Sequence, residues 1–124
     1  MMRNEINFNY NWNNKLAGKF FTTLRLKDET RFHIGETYAI MLKGKHVFDA
    51  DIADIRHFYL KDINNFVAGL DTGYDAVECR KIITTMYKKS NINWDTRLLS
   101  LILFKKLKNQ PFQAKETELL QESA

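Results

Sequence analysis

Two apolar alternations at opposite ends of the chain set the tightest limit on its fold. Ile6, Phe8 and Tyr10 alternate with Asn7 and Asn9, while Leu99, Leu101 and Leu103 alternate with Ser100 and Lys105. A period of two marks a half-buried strand. Between these ends lies Tyr74–Lys89, where Ala76, Cys79, Ile83 and Met86 or Tyr87 recur at helical spacing. A last strand must therefore return, after helices, to a sheet that the first strand opened. Neither a helical bundle nor a regular βαβ alternation fits that order. The expected class is α+β, a small mixed sheet curled around one core with helices plugging one side.

The remaining elements fill in this frame. Asn11–Gly18, with Trp12 and Leu16 four apart, predicts a short helix that Gly18 ends in the left-handed region. Thr22–Leu26 and Thr37–Leu42 predict strands, separated by a polar loop at Lys27–Arg31 and a turn at His33–Glu36. Lys43-Gly44-Lys45 has the chemistry of a hairpin turn. The strand after it, Val47–Tyr59, loses its alternation at Ala53-Asp54, where a bulge would restore it. Asp62–Ala68 predicts a short helix ending at Gly69, and Thr72 or Asp71 is the expected cap of the long helix. Arg97–Leu107 is the closing strand. The domain is expected to span 1–108, followed by a polar, mobile tail at 109–124.

Length and composition exclude several function classes. A chain of 124 residues with 44% apolar residues is one domain able to bury its own core. A single cysteine, Cys79, cannot form an internal bridge and points to a reducing compartment. The N-terminus lacks an apolar leader, and Leu98–Phe104 is too short to cross a bilayer, so a cytoplasmic protein with no membrane partner is expected. The net charge is +4, and it is uneven. Lys115 against Glu116, Glu118 and Glu122 leaves the tail at −2 and the remainder at +6, a balance that favours a polyanionic partner. His33, His46 and His57 show no metal spacing with one another or with Cys79, and no phosphate loop, dinucleotide fingerprint or nucleophile elbow is present. No metal and no cofactor is expected.

The segment around Gly18-Lys19-Phe20-Phe21-Thr22-Thr23-Leu24-Arg25 resembles the opening motif of ASCH domains, a family with a PUA-like barrel fold. The family pattern is glycine, lysine two residues later, a polar or acidic residue at five and arginine at seven, positions held here by Gly18, Phe20, Thr23 and Arg25. His33–Glu36, Asp62–Tyr74 and Leu99–Phe104 match looser family features, so the resemblance spans about residues 6–107. In size the chain is similar to small bacterial amidohydrolases of the family that deacetylate acetylcytidine with a lysine, a threonine and a glutamate. Thr23 falls on the threonine position, but Phe20 holds the lysine position and Asp71 is the nearest carboxylate to the expected glutamate. Lys19 lies one residue early, on the opposite face of an extended segment. The resemblance thus implies a binding domain for RNA or a modified nucleoside ahead of an enzyme.

The candidate site follows from these residues. Thr23 and Arg25 share one face of their strand, where the guanidinium offers forked donors to a phosphate or base edge. Lys19 and Asp71 are the further catalytic candidates should the domain be a hydrolase. Lys43 and Lys45, with His46, Lys27 and Arg31, are candidates for a basic rim that holds phosphates by charge, although wet turns are commonly charged. Trp94, in a polar loop, is the better candidate for stacking on a base, and Trp12 is expected to anchor the short helix in the core. Two readings compete with the binding module: a small hydrolase of a modified nucleoside, and a protein-interaction domain without a ligand.

Overall fold

The computed structural model of the chain describes residues 4–107, so the segment 109–124 lies outside the described residues. Its organising element is one strand long enough to serve two neighbours. β4 (Lys45–Tyr59) pairs antiparallel with β3 (Thr37–Leu42) through its first half and with β5 (Leu98–Lys106) through its second. β2 (Phe20–Leu26) adds antiparallel to β5, and β1 (Glu5–Phe8) adds parallel to β3. The order β1-β3-β4-β5-β2 makes a strongly curled, five-stranded half-barrel in an α+β fold.

The register of β4 shifts between Ile52 and Asp54, and this bulge reverses which face each side chain takes. Before it, Phe48, Ala50 and Ile52 point inward. After it, Ile55 continues inward on odd numbering, and Phe58 points outward. Ala53 is the extra residue, at the site where the alternation in the sequence breaks.

Two apolar clusters result. Ile6, Phe21, Ile40, Phe48 and Ile102, one from each strand, meet in a single cluster, which makes that face the inside of the curl. On the outer face, Leu24 and Leu99 pack against Ile63, Val67, Ala68, Cys79 and Ile83 from the helical segment. Cys79 is fully buried, and burial pushes its thiol above the ordinary range, so it packs as a small apolar side chain.

The helices differ from the expected boundaries for identifiable reasons. α1 is Asn65–Thr72, not 62–68; it runs through Gly69 because Asn64 supplies the cap, its Oδ1 accepting from Val67 N at 3.0 Å. Gly73, at φ +81°, ends it. α2 is Ala76–Met86, and its cap is Asp75, which accepts from Glu78 N at 2.9 Å. Neither Asp71 nor Thr72 can cap α2, because both side chains are bonded elsewhere. Trp12–Ala17 forms a short 3-10 segment interrupted by left-handed Asn13 and Asn14, whereas Gly18 is extended at φ −84°. What Gly18 supplies is closeness: an added Cβ would meet the Phe20 carbonyl oxygen at 3.1 Å.

Gly73 combines left-handed backbone with a tight contact, since a Cβ there would lie 3.2 Å from the Asn13 side chain. Gly73→Ala is expected to destabilise the domain by about 1–2 kcal/mol in urea unfolding. A neutral result would show that Asn13 and the α1 terminus yield freely.

Candidate functional site

A half-barrel has a seam, and here it runs between the unpaired edges of β1 and β2. Lys27 N donates to Leu98 O and Lys106 N to Lys19 O, so odd-numbered residues of β2 turn their backbone toward β5. Thr22, Leu24 and Leu26 therefore turn theirs toward the seam. On β1, Ala39 N donates to Asn4 O and Lys43 N to Phe8 O, which leaves Glu5 and Asn7 facing the seam. Side chains close what strand pairing leaves open. Arg25 Nη2 donates to Asn7 O at 2.9 Å, and Arg31 Nη2 donates to Glu5 O at 2.7 Å.

Above this seam lies a cavity of about 140 Å³. Thr23, Leu24 and Arg25 of β2 form one wall, Phe8 and Trp12 another, and Asp71 with Ile82 and Met86 bring in the helices. Its size is below that of a drug-sized pocket and suits a single ring system. Tyr10 and Trp12, both in the lining, meet edge to face at 4.6 Å, and Trp12 also meets Tyr74 at 6.0 Å, so an aromatic group borders the cavity. Aromatic and charged side chains therefore share the lining of the cavity with apolar ones.

The cavity's polar groups fall into two hydrogen-bonded sets, one on Asp71 and one on Arg25. Lys15 Nζ donates to Asp71 Oδ1 at 2.8 Å and to the Asp71 carbonyl at 3.0 Å, and Thr22 Oγ1 donates to the same Oδ1 at 2.9 Å. Both charged side chains are almost fully buried, at 6% and 7% exposure. Arg25 Nε donates to Thr23 Oγ1 at 3.0 Å, which fixes the guanidinium plane. Lys15 Nζ and Arg25 Cζ lie 5.4 and 5.0 Å from the Phe8 ring centroid, so the ring sits between two cations. Burial lowers the Lys15 ammonium from its ordinary value, against the opposing pull of Asp71. Burial likewise lowers Arg25, which as an arginine still keeps its charge.

Three of the sequence-derived candidates line this cavity together: Thr23, Arg25 and Asp71. Lys19, Lys43, Lys45 and Trp94 do not. Lys19 is exposed just before β2. Lys43 and Gly44, at φ +52° and +81°, form the two-residue turn of the β3–β4 hairpin, with Lys45 opening β4 beside it. Trp94 is half-buried against Tyr87 at 6.1 Å, within the helical cluster. Trp12, expected in the core, stands instead at the cavity wall. Lys15 was not singled out from sequence, because its partner lies 56 positions away.

Among the described residues no three His, Cys, Asp or Glu side chains gather to hold a metal, and no helix is long and apolar enough to cross a membrane. No protein-family model matches the chain, and no curated protein resembles it in sequence.

The buried pair yields two expected outcomes. Lys15→Met leaves Asp71 without its charge partner and is expected to cost about 3–5 kcal/mol in urea unfolding, while Lys15→Met with Asp71→Leu regains most of that loss. Because the folded state lowers the Lys15 pKa below 10.5, the unfolded chain holds that proton more tightly. Wild type should then gain stability relative to Lys15→Met as pH rises through the folded pKa toward 10.5. A Lys15 side-chain NMR titration centred at or above 10.5 would contradict this.

Proposed function

We propose that the chain is a PUA-like domain of the ASCH kind, whose seam cavity binds the ring of a modified nucleoside or an unpaired RNA base. The observation that carries this reading is the convergence of Thr23, Arg25 and Asp71 on one ring-sized cavity that the aromatic rings of Tyr10 and Trp12 also line. Leu24 adds an edge-strand N–H and C=O on the same wall, a donor and acceptor of the kind that pair with the polar edge of a base. An aromatic in the lining supplies stacking, which contributes about 1–3 kcal/mol per base in single-strand binders. The net charge of +4 favours an anionic partner over a neutral one.

Isothermal titration with the four ribonucleosides, N4-acetylcytidine and short single-stranded RNA tests the reading. Trp12→Ala, in the lining, is expected to weaken binding about tenfold or more. Arg25→Lys keeps a charge but loses the fork and the Thr23 contact, with an expected loss of about tenfold. Affinity unchanged in both variants, at unchanged thermal stability, sinks the cavity assignment.

One observation favours a second reading, a small hydrolase of a modified nucleoside. Lys15, bonded to Asp71 and with a lowered pKa, stands where the exposed Lys19 does not, and Thr23 shares its cavity. Release of acetate from N4-acetylcytidine, abolished in Thr23→Val and Lys15→Met, would establish it; no release at high enzyme concentration removes it.

A further inference from the structure

A second hollow, of about 320 Å³, opens on the other side of Arg25. Asn7 and Arg25 line both spaces, so the two adjoin at one guanidinium. Arg31 and Arg97 join Arg25 around the second hollow. Each of the three is pinned by one N–H on a backbone carbonyl: Arg25 on Asn7 at 2.9 Å, Arg31 on Glu5 at 2.7 Å and Arg97 on Lys27 at 3.0 Å. Arg25 and Arg31 also lie over the rings of Phe8 and Phe32, at 5.0 and 4.7 Å. These anchors, with the Arg25 Nε bond to Thr23 Oγ1, fix the planes and leave the remaining N–H groups for a ligand.

The charge around the hollow is only partly cancelled and stays positive. Among the described residues none of the three guanidiniums makes an ion pair with a carboxylate. Asp28 and Glu5 line the hollow too; Asp28 Oδ1 accepts from Thr30 N at 2.9 Å and Thr30 Oγ1 at 2.8 Å. Those bonds hold the Asp28 carboxyl below the ordinary range, with the nearby charges of Arg31 and Arg97 adding to the effect. Three guanidiniums face two carboxylates, and forked donors held in place suit the oxygens of a phosphate.

We infer that this hollow takes a phosphate joined to the molecule whose ring fills the neighbouring cavity, so that the ligand is a nucleoside phosphate and not a free nucleoside. The inference rests on the base-binding reading for its ring; the arginine hollow stands on its own geometry. Either a free mononucleotide or an RNA strand presents this chemistry.

Calorimetry at low salt on the full chain distinguishes them, using each ribonucleoside, its 5′-monophosphate, inorganic phosphate and single-stranded RNA trinucleotides. The monophosphate is expected to bind about tenfold or more tightly than its nucleoside. Arg97→Gln, an exposed position, and Arg31→Gln are each expected to erase most of that gap, with nucleoside affinity and melting temperature unchanged for Arg97→Gln. Trinucleotides binding more tightly than monophosphates identify an RNA strand as the source; the reverse identifies a free nucleotide. Equal affinity for nucleoside and monophosphate overturns the inference and leaves the base pocket standing. Arginine-dependent binding of inorganic phosphate without any nucleoside binding overturns the base pocket and keeps the anion site. Binding of neither overturns both.

Discussion

Everything distinctive in this domain depends on two arginines that do the work of a missing strand pairing. β1 and β2 end the sheet on either side of the seam, and among the described residues neither has a strand partner there. Exposed strand edges invite pairing with other chains. Arg25 and Arg31 occupy the Glu5 and Asn7 carbonyls at alternate positions, the spacing at which β1 presents its backbone to one side. A closed barrel would hide those carbonyls and leave no cleft. A wide-open sheet would expose Phe8 and Phe21, whose rings approach to 6.2 Å across the gap. Guanidinium closure holds the edges together and keeps polar groups at the surface of the gap.

The second constraint is the buried Lys15–Asp71 pair. Removing both charges from water costs several kcal/mol each before attraction returns any of it. The arrangement limits that cost by saturating the acceptor, since Asp71 Oδ1 receives both Lys15 and Thr22. No buried side-chain polar atom among the described residues lacks a hydrogen-bond partner. The pair also joins three parts of the chain, the 3-10 segment, β2 and α1, at one point. An apolar pair of similar volume would hold these elements as well or better, so stability alone is a weak reason for charge at this place. Its position in the cavity wall gives a better one.

The sheet was readable in the sequence because its signals are local. Alternation marked β1, β4 and β5, β-formers marked β2 and a preceding turn marked β3. The break at Ala53-Asp54 marked the bulge, since a parity change in β4 must follow if Phe48 and Phe58 face opposite sides. Helix boundaries were less legible because several residues competed for the same capping role. Asn64 and Asp75 won it, while Asp71 and Thr72 were drawn to partners that no local pattern announces. The site was legible only along β2, where Thr23 and Arg25 share a face. Lys15 precedes the strand, and its value comes from a contact across 56 positions. Lys43 and Lys45 do not line the cavity, although the backbone of their hairpin turn bonds Asn7 and Phe8, which do.

The seam also explains why aromatic and cationic side chains collect at one place. Phe8 sits at the end of β1, where it packs on Phe21 within the core and presents its ring to Lys15 and Arg25. Those cations stay near the ring because each is tethered to a backbone carbonyl or carboxylate, so their orientation costs little further entropy when a ligand arrives. A site built from loops would have to order itself on binding. Here the same contacts that close the sheet have already fixed the donors, so removing Arg25 cannot separate its structural role from the binding role proposed for it. That is why substitutions at Trp12 and Arg97, which close no seam, carry the functional argument.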